Sequence, residues 1–398
     1  MTKTITSLIF CLLLVSSTLE AQQVVTGRVT DRYDGTPIPD ATVFIAHTTI
    51  GTQSDRYGNF SITVPIQGNF IIVVSHIGFE SASRTINTPQ PAHQIDFRLQ
   101  KNILEEVVVN PCLPHRNRDE SLFWQLLLGE RPSNRGMQVL NREVVRFCLL
   151  PMGILRVFAD EPIEIVNHQM GYHISYVLHR FEHNYSTGDT RINGMFFFSE
   201  LSPRNERERS NWERRRQIAY SVSFTRFIRA LYQEQLHERG FLLVKTDPMD
   251  PNRLTALSSR QIFDERSGLE RQLFTEEEFR RLQGGSGFAA FSYSDILQRD
   301  AEGVTFTIRQ PTFLAFTSTP VTNITEEPHE MLFGRGATFP LIQLLPLNIT
   351  IYPDGSYSGL VHFNELRDTV LGLRAKLPIE FGVNENAVEV LRAPLRRR

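Results

Sequence analysis

Two imidazoles and a carboxylate fall within five residues at His179-Arg180-Phe181-Glu182-His183. Two histidines and a glutamate at this spacing can hold a zinc ion and activate its bound water, the chemistry of metal-dependent peptide hydrolysis. It works only if the ligands converge on one ion, and the local backbone decides that. On a helix the three residues share a face; on a regular strand His179 and His183 point one way and Glu182 the other. Tyr172, Ile174, Tyr176 and Leu178 alternate with smaller or more polar residues, and Gly188-Asp189 offers a turn back, so the stretch reads as a strand. The expectation is a partly exposed strand with no catalytic residue, no metal and no cofactor. The alternative is a hydrolase of glycans or peptides, metal-dependent through His179, Glu182 and His183.

Other reactive groups are less organised. Glu161, Glu164, Asp189 and Glu200 lie in one region, but a glycosidase needs two carboxylates at set distances across a sugar, which sequence does not supply. There is no Gly-x-Ser-x-Gly elbow, Walker loop or strand-linked Gly-x-Gly-x-x-Gly; Gly284-Gly285-Ser286-Gly287 has the wrong spacing. Arg204 to Arg216 is rich in arginine, yet Glu206, Glu208 and Glu213 interleave with it. With a formal charge of -2 on the whole chain, this argues for a solvated helix face and against nucleic acid as a partner. Cys112 and Cys148 remain once an export signal is removed, either as a disulfide or as two buried thiols.

The elements that must position these groups differ along the chain. Lys3, an apolar run from Leu8 to Val15 and small residues before Ala21 form a cleavable export signal, residues 1–21. The run is shorter than the roughly 20 residues a membrane-spanning helix needs. From Val24 to Leu99 short alternating strands are punctuated by turns such as Asp55-Arg56-Tyr57-Gly58-Asn59, which favours an antiparallel β-sandwich over residues 22–101. Phe70 to Ser75 is almost wholly apolar and β-branched, as expected of a strand buried on both faces. Residues 102–135 read as a linker running into a short helix around Phe123. Residues 136–391 mix strands with one long amphipathic helix from Arg207 to His237, a second helix from Thr275 to Gln283 and a hairpin at Asp354-Gly355. A basic tail, 392–398, closes the chain.

Gly27-Arg-Val-Thr-Asp31, Pro37-Ile-Pro39-Asp-Ala41-Thr-Val43, Gly51-Thr52, Asp55-Arg-Tyr-Gly58-Asn-Phe60 and Ser75-His-Ile-Gly78-Phe79 together resemble the carboxypeptidase-regulatory-like domain. That family is a transthyretin-like β-sandwich at the start of many exported Bacteroidetes proteins, outer-membrane nutrient receptors among them. The resemblance implies a folding and docking module without an active site. Leu104-Glu-Glu-Val-Val-Val109 is similar to the segment that follows the domain in those proteins. Pro162-Ile-Glu164-Ile-Val-Asn167, Gly171-Tyr172, Phe197-Phe-Ser-Glu200-Leu201, Trp212 with Arg216, and Arg374-Ala-Lys-Leu-Pro378 resemble an uncharacterised region found after such sandwiches. That region brings no activity with it.

The combined expectation is a mainly β protein with α. A transthyretin-like sandwich precedes a larger α+β region. The chain would be exported to the periplasm or the outer-membrane face, with a non-catalytic binding or assembly role. Its partner would be an envelope protein or a glycan, with peripheral association at the outer membrane. A third reading, the front of an outer-membrane transporter, lacks the outward apolar band of barrel strands.

Overall fold

In the computed structural model of the chain, the described residues are 23–64, 70–86, 92–102, 117–128, 136–188, 190–221, 223–236, 238–245, 261–264, 269–272, 291–300, 303–309, 312–316, 341–344, 346–353, 355, 357–358, 377–379 and 381. The first module has eight short strands. They are β1 (Gln23–Asp31), β2 (Thr42–Ile45), β3 (Gly51–Gln53), β4 (Asn59–Val64), β5 (Phe70–Ser75), β6 (Ala82–Ile86), β7 (Ala92–Gln94) and β8 (Phe97–Leu99). One sheet runs β4-β1-β7, with β8 also on β1; the other runs β3-β2-β5-β6. Burial alternates strictly in β4, with Phe60, Ile62 and Val64 inward, because one face is wet and side chains alternate along a strand. They meet Val43, Ile45, Ile72 and Val74 from the other sheet in a single core. In β5, Val73 is as buried as its neighbours, but in a different cluster on the far face.

The second module is a sheet centred on one long strand. It comprises β9 (Met137–Val139), β10 (Val145–Leu150), β11 (Ile154–Ala159), β12 (Ile163–Asn167), β13 (Tyr172–Asn184) and β14 (Thr190–Glu200). β14 pairs with β13 along one side. β11 and β12 share the other, opposite residues 181–184 and 172–176 respectively. The β13–β14 register shifts between Leu178 and Arg180, so His179 is the extra residue of a β-bulge. The bulge swaps faces: Tyr172, Ile174 and Tyr176 point inward before it, Phe181 and His183 after it.

α1 (Asn117–Leu128) lies on the inward face. Phe123 is fully buried, its ring 4.8 Å from Trp124, 5.6 Å from Phe147 and 5.0 Å from Phe181. The short helix expected at the end of a linker is thus built into the second core, because its Phe123, Trp124, Leu127 and Leu128 stripe finds cover there.

Two helices replace the single one expected from Arg207 to His237: α2 (Glu206–Ser221) and α3 (Phe224–Tyr232). Ser223 caps α3 by accepting from the Arg226 amide, which fixes the break. The new direction sends Phe227, Ile228 and Leu231 into a third core. There they meet β15 (Phe241–Lys245), α4 (Tyr293–Ile296) and four further strands. In chain order the remaining strands are β16 (Gln261–Asp264), β17 (Leu269–Gln272), β18 (Leu297–Arg299), β19 (Val304–Ile308), β20 (Thr312–Phe316), β21 (Leu341–Leu344), β22 (Leu347–Ile351) and β23 (Tyr357–Ser358). β15-β20-β21 and β18-β19-β22-β23 are sheets, and β16-β17 is a hairpin. The expected hairpin at Gly355 joins β22 to β23. The export signal, the helix expected at 275–283, the joint at 284–287 and the basic tail lie outside the described residues.

Candidate functional site

The His179, Glu182 and His183 side chains do not come together. The bulged His179 is exposed, whereas His183 is buried with its Nδ1 2.5 Å from Thr190 Oγ1 and its ring edge-on to Tyr185. Period-two counting had put both histidines on one side, and the extra residue undoes that parity. Glu182 points outward, where it accepts from Arg156 Nε at 2.8 Å and Arg180 Nε at 3.0 Å. Burial opposes its ionisation, but the hydrogen bonds from Arg180 and Arg156 outweigh this and hold the carboxyl below its ordinary value. A carboxylate so held is a poor base. Among the described residues no three His, Cys, Asp or Glu side chains gather in a metal-holding arrangement.

Glu164 and Glu200 have partners of their own. Glu164 lies opposite Ser175 across β12–β13, accepting its hydroxyl at 2.7 Å while His173 Nε2 sits 2.9 Å from the same carboxylate. The hydrogen bond to Glu164 raises the His173 pKa although burial works against it. The acid stands between serine and histidine, so the imidazole is not placed to take the serine proton. Glu200 pairs with Arg216 at 3.0 Å, and Asp189 lies outside the described residues. Arg216 is itself buried, donating to the Met170 and Gly171 carbonyls with its guanidinium 4.0 Å from the Tyr172 ring centroid. Gly171, at a φ of 68°, leaves no room for a Cβ, which would fall 2.2 Å from the Trp212 ring. The arginine-rich helix is therefore anchored through Trp212 and Arg216, a buried role its charge pattern hid. Cys148, buried on β10, is disulfide-bonded; Cys112 lies outside the described residues.

The most extensive construction on this face is the joint with the sandwich. Phe44, Ala46 and Val73 of the sandwich cluster with Val177 of β13, flanked by Ile71, Met195 and Phe197. The Phe44 and Phe197 rings lie 5.0 Å apart, and a Cβ at Gly51 would fall 2.6 Å from the Phe197 ring. Backbone pairing continues across the joint: His47 N–H donates to Phe196 O at 2.6 Å and Phe198 N–H to Thr48 O at 2.9 Å. Residues 377–379 and 381 close it from the far end of the chain. The Ile379 amide donates to His47 O at 2.9 Å, while the buried Arg229 of α3 donates to the Ile379 and Phe381 carbonyls and to the Tyr220 hydroxyl. Sequence reasoning missed His47, Thr48 and Arg229. The one available signal was the two-faced apolarity of β5, which required a cover for its second face.

This geometry sets the class of the first module, and comparison agrees. Residues 25–109 match the family model of the CarboxypepD_reg-like domain. The chain is also similar to two receptors from Formosa agariphila. TonB-dependent receptor P3 is 33% identical over 99 residues, covering 25% of this chain and 10% of the receptor. TonB-dependent receptor P39 is 35% identical over 113 residues, covering 27% and 10%. The chain thus spans about a tenth of the length of these relatives. A type II cohesin–X-dockerin complex from Acetivibrio cellulolyticus overlaps 19% of this chain and 52% of its own at 16% identity, with a TM-score of 0.17, too little to argue from.

Proposed function

We propose that the protein is a non-catalytic envelope protein with a binding or assembly role, its sandwich held on the second module as part of one platform. The observation that carries this reading is the loop end of the sandwich. Tyr33 is 96% exposed, Ile77 75% and Tyr57 52%, in the loops after β1, between β5 and β6 and before β4. Antiparallel pairing of β1 with β4, the parallel β1–β8 pair and the Phe79–Lys101 bridge put these loops at one end. The Arg56 guanidinium stacks 4.6 Å from the centroid of the Tyr57 ring. Tyrosine and arginine are the residue types that carry much of the energy of protein interfaces. Export to the periplasm or the outer-membrane face is supported by the N-terminal signal pattern and by the similarity to two TonB-dependent receptors. An envelope protein or glycan is the partner class.

The test uses the full mature chain as bait against solubilised envelope proteins and immobilised envelope glycans. Saturable capture that disappears in a Tyr33→Ser/Tyr57→Ser/Ile77→Ser variant, with unfolding unchanged, is the expected result. Capture indifferent to those substitutions would count against the reading. So would turnover of peptide or glycan substrates that is lost in Glu182→Gln.

A further inference from the structure

Glu120 and Trp124, one turn apart on α1, face the start of β10 across a cleft of about 430 Å³, walled also by Arg142, Val145, Arg146 and Phe147. Ligand sites run from about 300 to 1,000 Å³, so this one suits a single ring or a short branched body. Its floor is apolar: Trp124 and Val145 are buried and Phe147 partly so. The Arg142 guanidinium lies 4.8 Å from the Trp124 ring centroid, a cation–π contact. No carboxylate pairs with Arg142 among the described residues, whereas the neighbouring Arg146 is tied to Asp160. Glu120 has a partner of its own. The uncommitted charge in the cleft is thus one guanidinium above an apolar floor.

A guanidinium fork matches a planar carboxylate through two parallel N–H···O bonds. A dianionic phosphate monoester would meet the Glu120 carboxylate on the same wall, so the charge balance favours a monoanion. We propose that this cleft binds a compact carboxylate ligand, with Arg142 gripping the carboxylate and its body resting on Trp124, Val145 and Phe147. The inference deepens the binding reading above and rests on it, but uses residues remote in sequence from the sandwich loops. A sugar acid and the C-terminus of a peptide both present the required group.

Calorimetric titration of the full chain with galacturonic acid and with N-acetylphenylalanine separates these sources. Each is run beside its neutral counterpart, galactose or N-acetylphenylalaninamide. The expected result is saturable binding of one acid, with its neutral counterpart weaker by about tenfold or more. Arg142→Ala is expected to weaken that acid by about tenfold to a hundredfold, and Arg142→Lys to restore only part, because an ammonium lacks the fork. Arg142 is exposed, and matching circular dichroism and unfolding of Arg142→Ala and Arg142→Gln establish that the fold persists. The Tyr33→Ser/Tyr57→Ser/Ile77→Ser variant should keep the titration unchanged, so failure of the loop reading and failure of the cleft are distinguishable. Binding by neither acid, equal binding of acid and neutral counterpart, or full affinity in Arg142→Ala overturns the proposal.

Discussion

The two sheets that meet at Phe44 and Phe197 treat their facing surfaces differently. The sandwich sheet offers a continuous apolar surface of Phe44, Ala46, Ile71 and Val73, although its other face already fills a core. The β13–β14 sheet meets it with Val177, Met195 and Phe197. This patch is bordered on one side by Glu164, His173 and Ser175 and on the other by Arg156, Arg180 and Glu182. The first surface must be covered by something, since burying it is what stabilises β5 in a central position. The second is a polar face with one docking patch. Arg156 and Arg180 pair with Glu182 there, and His173 with Glu164.

The largest expected effect concerns α1. If the helix is core and not linker, Phe123→Ala should cost about 3–5 kcal/mol in urea unfolding, as for other buried aromatic truncations. A cost below about 0.5 kcal/mol, typical of surface sites, would return the helix to the linker. Next comes the disulfide of Cys148. With Cys112 as its partner, one of the two states the sequence left open, non-reducing peptide mapping should yield a fragment containing both, and reduction should cost about 2–4 kcal/mol. Recovery of Cys112 as a free thiol would rule out that pairing.

Gly51→Leu should then sharpen the contrast between the two surfaces. Its side chain would enter the space of the Phe197 ring, with an overpacking cost of about 1–3 kcal/mol. Limited proteolysis should release the sandwich faster from this variant than from the native chain, and an unchanged rate would place the joint elsewhere. The smallest effect is electrostatic. His173 has its pKa raised by Glu164, so its contribution is fully present below the ordinary 6.5 and is lost as pH rises through the raised value. Glu164→Gln should flatten that part of the stability–pH curve; an identical curve would mean the pair is not formed.

The architecture was legible where local pattern and burial coincide. The alternation of Phe60, Ile62 and Val64, and of Tyr172, Ile174 and Tyr176, marked strands and their inward faces. The apolar run of β5 marked two-sided burial, though not what lay on the second side. The bulge at His179 left no sequence mark, because the extra residue is defined by the register of Gly194 and Asn193 opposite. The break at Ser223 was hidden by an apolar stripe that continues through both helices, although serine followed by phenylalanine is a fair cap signal. Arg229 and residues 377–381 are about 150 positions apart, and long-range contacts of that kind have no local signature.

The sandwich is seated on β13 and β14 through its apolar second face. In a chain with selectively labelled phenylalanines, a nuclear Overhauser contact between the Phe44 and Phe197 rings tests this most directly. The 5.0 Å ring separation predicts a strong cross-peak and protection of both rings from a soluble paramagnetic probe. No cross-peak, with both rings accessible to the probe, would show the two modules tumbling apart.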